Sequence, residues 1–390
     1  MTVQRNFFLD GIGKQLHKQR PRVPEGFDST TYIERDGSKT YVDMYVRSRG
    51  CHHNYLGGCT MCDYWASAEF DALRMSDFAR EALSAIDFSP TLLVFGPSGS
   101  LFDEWEVPTP VRRDWYRMLQ STNASVYALF TRVETITEDK LVEIAQYLDT
   151  SKVSIEMGLE TADPWKLKYC INKAIEPEQI TQAAHLIKSC GFSSCVYIMV
   201  GVPFLNPSEL VEDTVSSVMW AFDQGIDYCA IFPMHIKPWT VVEWLYRHGQ
   251  YEPVSLWAMV DVLTRFSPQQ LEHIGICWHR PRPKQAHPLY EMQSIAPITC
   301  PMCADQVLGI MDSFRFSGER ANLVARLVNI ECKCKDEWRL KLLERFAHVP
   351  LAERVRDGYK EMGQDLLGTD WWARYGQEVL SSVPDYQPFS

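Results

Sequence analysis

The sequence has no long apolar run. Its first 26 residues, MTVQRNFFLDGIGKQLHKQRPRVPEG, hold no stretch able to serve as a signal peptide or to span a bilayer, so no membrane association and a cytoplasmic location are expected. Positive charge is also scarce. A formal net charge of -11 and a pI near 5.4 weigh against a generally basic nucleic-acid surface. Two local patches, HKQRPR at 17–22 and HRPRPK at 279–284, are short enough to be solvated loops, so tRNA binding is allowed rather than indicated. Low-complexity segments and repeats beyond a β-α alternation are missing. Twelve cysteines occur without an even framework and among apolar stretches, which excludes a disulfide scaffold and points to a reducing compartment.

What is present suits one large catalytic unit. Hydrophobic residues make up 46% of the chain and aromatics 12%, ample for a sizeable core. From residue 41, short β-rich runs alternate with helical stretches. YVDMYVRS (41–48) reads as the first strand and MSDFAREALSAI (75–86) as the first helix, with Ser76 as its N-cap. Further strands are expected at 91–99, 125–135, 152–161, 193–203 and 228–236, separated by helices at 111–121, 137–149, 176–191 and 207–225. Six parallel strands with crossover helices predict an α/β fold, a partial (β/α)6 TIM-like barrel, whose site lies at the strand C-terminal ends. The expected organisation is an N-terminal extension (1–40), the barrel (41–270) and a mostly helical, cysteine-containing C-terminal domain (271–390).

The run RSRGCHHNYLGGCTMCDYW follows the first strand. Gaps of seven and two residues gather Cys51, Cys59 and Cys62 on a glycine-bearing loop, and three thiolates around an iron-sulfur cube leave one iron open to a small molecule. Zinc fits less well, because the spare donors His52 and His53 adjoin Cys51 and are poorly placed to share its metal. Polar residues recur at later strand ends. Gly96 and Ser98 lie in a GPSGS turn whose backbone a ligand can approach closely. Arg132 leaves the third strand beside Glu134, and Glu160 ends the fourth, where its carboxylate can accept from ribose hydroxyls or an ammonium group. After the sixth strand, His235 is a candidate proton donor and Lys237 a candidate carboxylate anchor; packing and capping at a strand-helix turn is the alternative for both. Tyr197 either lines the cavity or fills the core, and Pro203-Phe204 reads as a turn.

A second constellation, Cys300-Pro-Met-Cys303 with Cys332-Lys-Cys334, lies beyond the barrel. Four thiolates suit a structural zinc that staples the C-terminal segment. The one-residue gap is less usual for zinc, and a second iron-sulfur cluster or free thiols stay open. Cys170, Cys190, Cys195, Cys229 and Cys277 occur singly and carry no assigned role. Trp371, Trp372 and Tyr375 either cap the barrel or meet another protein.

The chain resembles the radical SAM superfamily. Its seven-residue cysteine gap departs from the usual three and narrows the resemblance to the branch containing the Elongator catalytic subunit and, more closely, the archaeosine-forming radical SAM lyase. RSRGCHHNYLGGCTMC, FGPSGSLFDEWEVP, IEMGLETAD with INKA, PFLNPSELVEDTV and IKPWTVVEWLYRHGQYEP carry that likeness across roughly residues 41–340. The resemblance implies a 4Fe-4S cluster on Cys51, Cys59 and Cys62, with S-adenosylmethionine held by Gly96, Ser98, Arg132 and Glu160. It implies a partner enzyme that attaches lysine to a 7-deazaguanine in tRNA, carbon-nitrogen cleavage of that adduct, and an electron donor such as flavodoxin or ferredoxin. Asp63-Tyr64 stands where the family has Gly-Tyr. With the acidic balance, that leaves a small amine-bearing metabolite or natural-product intermediate as an alternative substrate, and a non-catalytic iron-sulfur scaffold as a third reading. Nothing resembles a cobalamin domain.

Overall fold

The computed structural model describes residues 5–20, 29–64, 71–281, 294–343 and 349–388. Parts of both basic patches, 21–22 and 282–284, lie outside the described residues, as does Trp65 of the cysteine run.

Among the described residues a single sheet of eight strands runs in chain order: β1 (Ser29–Asp36), β2 (Lys39–Val46), β3 (Leu92–Pro97), β4 (Val126–Thr131), β5 (Val153–Glu160), β6 (Ser193–Val200), β7 (Tyr228–Pro233) and β8 (Ile274–Ile276). β2 to β8 are parallel, and β1 joins β2 as an antiparallel hairpin through Gly37, whose φ of 57° suits a tight turn. The α/β half-barrel with a cysteine-containing helical C-terminal region is as the sequence implied, and the six expected strands are β2 to β7. β1 and β8 extend the sheet beyond 41–270 on both sides.

Crossover helices cover the outer face. Trp115 and Tyr116 on the helix Thr109–Thr122 are fully buried, with Trp115 edge-on to Phe95 of β3 at 5.3 Å. The helix Pro207–Asp223 starts with a capping box, Asn206 accepting from the Glu209 N–H while Glu209 accepts from the Asn206 N–H. One expected cap is corrected. The first crossover helix spans Ala72–Ser84 with Asp71 accepting from the Leu73 N–H, and Ser76 is buried inside it, because the chain turns helical four residues before the apolar period becomes visible.

The N- and C-terminal segments close on each other. Asn6 caps the helix Phe7–His17 and donates to the Tyr359 hydroxyl at 2.7 Å, and Phe8 packs on the Tyr359 ring at 4.7 Å. Trp371 and Trp372 also lie around Phe8. The same N-terminal helix touches the cysteine loop backbone to backbone: a Cβ on Gly13 would sit 2.1 Å from the Gly57 carbonyl oxygen, and one on Gly57 2.3 Å from the Asp10 Cα. No helix among the described residues is long and apolar enough to cross a membrane.

Candidate cluster and cofactor site

The loop leaving β2 carries Cys51, Cys59 and Cys62, none of them in a disulfide. Its course is set by the short helix His52–Tyr55 and a turn closed by the Cys62 N–H on the Cys59 carbonyl, with the Asn54 side chain donating to the Cys62 sulfur at 3.7 Å and the Tyr64 N–H donating to the same sulfur at 3.4 Å. Arg132, just past β4, donates to the Cys51 sulfur at 3.6 Å. N–H donors aimed at sulfur are the environment that stabilises cluster-bound thiolates. Burial pushes the Cys51 thiol up to about 11 and raises those of Cys59 and Cys62.

Three cations face this loop, each tied to a carboxylate. Arg132 pairs with Glu134, Lys173 with Glu160 at 2.7 Å and Lys237 with Asp63 at 2.6 Å. Burial opposes the charge of each, but its neighbours prevail: Cys51 and Glu134 for Arg132, Glu160 and Cys59 for Lys173, Asp63, Tyr64 and Cys62 for Lys237. All three therefore stay protonated beside the sulfurs. This donor set fits an anionic iron-sulfur group.

The turn after β3 is built around Glu106. Its carboxylate accepts from the His52 N–H at 2.8 Å and from the Ser100 N–H, and a Cβ on Gly99 would lie 1.8 Å from one of its oxygens. Burial raises the Glu106 pKa to about 8. Gly96 lies under the Phe130 ring, where a Cβ would be 2.7 Å from ring carbon, and the Ser98 carbonyl accepts from the Ser48 hydroxyl at 3.3 Å. Gly96, Ser98, Arg132 and Glu160 thus line the same end of the sheet as the cysteine loop.

Glu160 adopts a left-handed backbone, φ 71°, at a register shift in β5, and one of its carboxylate oxygens is buried without a hydrogen-bond partner. Lys173, which sequence reasoning did not single out, reaches it from a turn in which Asn172 and Ala174 also have positive φ. Asn172 locks that turn to the cysteine loop, donating to the Gly58 carbonyl at 2.8 Å and accepting at its own carbonyl from His53 at 2.7 Å. Burial holds the His53 pKa down to about 3, so its ring is a neutral donor. His52 stacks on Trp105 at 4.8 Å with Nδ1 3.3 Å from Asp103. Each imidazole thus has a nitrogen engaged away from the cysteines.

His235 and Lys237 are not brought together on one target. The His235 Nε2–H donates to the Trp278 carbonyl at 2.6 Å, while Lys237 is held by Asp63 beside Cys62. Inside the barrel, Tyr197 lines the lumen: its hydroxyl donates to Glu156, and its ring stacks on Trp278 at 5.4 Å with planes 5° apart. Burial raises the Glu156 pKa to about 7, with Asp43 across the lumen adding to the effect. Pro203-Phe204 forms the expected turn.

No family model matches the chain. Archaeosine synthase subunit beta of Methanosarcina acetivorans is 26% identical over 309 residues, covering 78% of this chain and 85% of that protein. The protein of the same name from Thermococcus kodakarensis is 24% identical over 306 residues, covering 77% and 90%. The chain is similar to the archaeosine synthase beta subunits over most of its length. An uncharacterized protein of Methanocaldococcus jannaschii is 26% identical over 327 residues, covering 80% and 85%. Among solved structures, an N-terminally truncated archaeal Elp3 from Methanocaldococcus infernus is 15% identical with a TM-score of 0.44, covering 64% of this chain and 60% of that one. The fold description above rests on the sheet itself.

Proposed function

We propose that the chain is a radical SAM enzyme of the archaeosine branch, acting with a partner enzyme on a lysine-modified 7-deazaguanine in tRNA and cleaving a carbon-nitrogen bond of the lysyl adduct. The observation that carries this reading is the likeness to two archaeosine synthase beta subunits over more than three quarters of the chain. Cys51, Cys59 and Cys62 hold the 4Fe-4S cluster, and Gly96, Ser98, Arg132 and Glu160 hold S-adenosylmethionine. Bound there and reduced by a donor such as flavodoxin or ferredoxin, such a cluster would supply one-electron reduction of S-adenosylmethionine.

The chain's own residues arrange the rest. Glu160, with one carboxylate oxygen on Lys173 and the other unpartnered, offers an acceptor at the mouth of the barrel. Arg132 and Lys173 balance charge around the sulfurs. Glu156 and Asp43 supply lumenal carboxylates, and Tyr197 stacked on Trp278 an aromatic wall, which suits an ammonium-bearing group over an anionic one. His235 and Lys237 lie at the same mouth, with His235 the proposed proton donor and Lys237 the proposed anchor.

A second reading, a small amine-bearing metabolite as substrate, is favoured by the Asp63–Lys237 pair, which replaces a glycine of the family pattern, and by the net charge of -11. Anaerobic reconstitution with iron and sulfide, then dithionite and S-adenosylmethionine, separates the readings by mass spectrometry of 5′-deoxyadenosine. Formation stimulated by lysine-modified tRNA supports the lyase; formation without stimulation supports the small amine. A loaded cluster that yields none returns the chain to a scaffold role, in which Cys59→Ala unfolds the protein instead of only silencing it.

A further inference from the structure

We infer that Cys300, Cys303, Cys332 and Cys334 form a mononuclear tetrathiolate site that holds one zinc ion and clasps the C-terminal helices onto the barrel. Their metal-binding atoms all lie within 4.8 Å of one another. Four of the six sulfur separations are 3.6 Å for Cys300–Cys303, 3.3 Å for Cys300–Cys332, 3.5 Å for Cys303–Cys334 and 3.5 Å for Cys332–Cys334.

These distances favour a single ion over a disulfide or a four-iron cluster. A disulfide brings sulfurs to about 2.05 Å, far closer than any pair here. A four-iron cube binds each thiolate to a different iron and spreads the sulfurs outward from the cluster. A single zinc with bonds of about 2.3 Å requires tetrahedron edges of about 3.8 Å, within about half an ångström of the four separations above. The one-residue gap is accommodated because Cys332 and Cys334 straddle the start of the helix Lys333–Leu343. Cys300 and Cys303 lie on a turn closed by the Cys303 N–H on the Cys300 carbonyl at 3.2 Å.

A second observation points to thiolates. The Trp257 indole N–H donates to the Cys334 sulfur at 3.1 Å, and the Thr299 hydroxyl lies 3.1 Å from the Cys303 sulfur. Donors from outside the tetrad lower the cost of burying the negative charge that four thiolates carry around a divalent ion.

The site also has something to hold. Trp257 belongs to the helix Leu256–Leu263, and the strand-like contact of Ile298 with Val254 and Leu256 leads straight into Cys300. The segment closed by the tetrad, 304–331, carries Arg315. That guanidinium pairs with Glu34 of β1 at 2.8 Å and lies over the Tyr41 ring at 4.0 Å inside the barrel. It also carries Arg320, which donates to the Ile274 carbonyl of β8 at 2.9 Å. The clasp therefore fixes a segment that touches both edges of the sheet.

The inference is independent of the substrate reading. Its test is metal and acid-labile sulfide analysis of the full chain, purified anaerobically without reconstitution, both as wild type and with Cys51, Cys59 and Cys62 all changed to Ala. The expected result is one zinc per chain in both proteins and no sulfide in the triple variant. Exchange of that zinc for cobalt should give the intense absorption of a tetrahedral cobalt thiolate. Cys332→Ser with Cys334→Ser should lose the zinc and lower the melting temperature. Iron with sulfide persisting in the triple variant, a disulfide within the tetrad, or four thiols that alkylate in the metal-free native protein would each overturn it. If the serine variant does not fold, the wild-type metal count and cobalt spectrum still decide.

Discussion

Lys173 donates to Glu160 across 2.7 Å while Glu160 is held at a φ of 71°. A strained acid at the end of β5 thereby meets a cation that is also close enough to Cys59 to feel its charge. Both side chains are nearly buried, 8% and 12% exposed, so removing one charge leaves the other uncompensated. Glu160→Gln should destabilise the fold by roughly 3 kcal/mol and weaken S-adenosylmethionine binding. The check is a double-mutant cycle with Lys173→Met, read by denaturant unfolding and by cofactor titration. Strictly additive losses would show that the two residues do not act as a pair.

Glu156 imposes a pH dependence on the fold. Its folded pKa, about 7, lies above the ordinary carboxylate value because burial disfavours the anion. Below about pH 4.5 both states are protonated and the group is neutral to stability. As pH rises towards 7 the unfolded chain releases the proton first, so stability falls, by about 3 kcal/mol once the folded carboxyl has also ionised. Glu156→Gln should flatten that loss, measured as unfolding free energy from pH 4.5 to 8. A cationic amine in the lumen would favour the ionised form, so its binding should tighten as pH rises through about 7.

The β-α order and the cysteine loop were legible because both are local: alternating apolar runs for the one, spacing for the other. β1 was not, since its residues alternate weakly and only the Asp36-Gly37 turn announced a hairpin. β8 is three residues long, too short for periodicity to register. At the site, Arg132 and Glu160 could be located by strand position. Lys173 and Glu106 could not, because their roles come from contacts across the fold: a turn with left-handed Asn172 and Ala174 brings Lys173 to Glu160, and the missing Cβ of Gly99 makes room for the Glu106 carboxylate. The motifs INKA and FDEWEVP contained them without saying which atom mattered. The sulfur separations of the C-terminal tetrad, which distinguish one ion from a cluster, are likewise invisible in a spacing of two and one.

Gly13 should control how well the cysteine loop is sheltered. Its helix meets Gly57 with no room for a methyl group, since a Cβ would fall 2.1 Å from backbone oxygen. Gly13→Ala must push the N-terminal helix and the loop apart, even though alanine is the better helix former. The expected outcome is a reconstituted cluster that bleaches faster in air and in chelator than wild type, with far-ultraviolet circular dichroism unchanged. Equal bleaching rates would mean that the helix contact does not support the loop.

Arg132 gives the most direct test of electrostatic control at the cluster site. Its guanidinium donates to the Cys51 sulfur at 3.6 Å, is charge-paired with Glu134, and is anchored by its own N–H on the Ser100 hydroxyl at 3.2 Å. The anchor is backbone, so Arg132→Met keeps the turn and most of the volume while deleting the charge and the donor. A cation beside a thiolate stabilises the more negative, reduced cluster, so its loss should lower the reduction potential, measured by electron paramagnetic resonance titration. Outer-shell changes of this kind cost about 10–100-fold in activity, and 5′-deoxyadenosine formation should fall by a similar factor. A fall in rate at unchanged potential would assign Arg132 to S-adenosylmethionine binding alone; an unchanged rate and potential would remove it from the site.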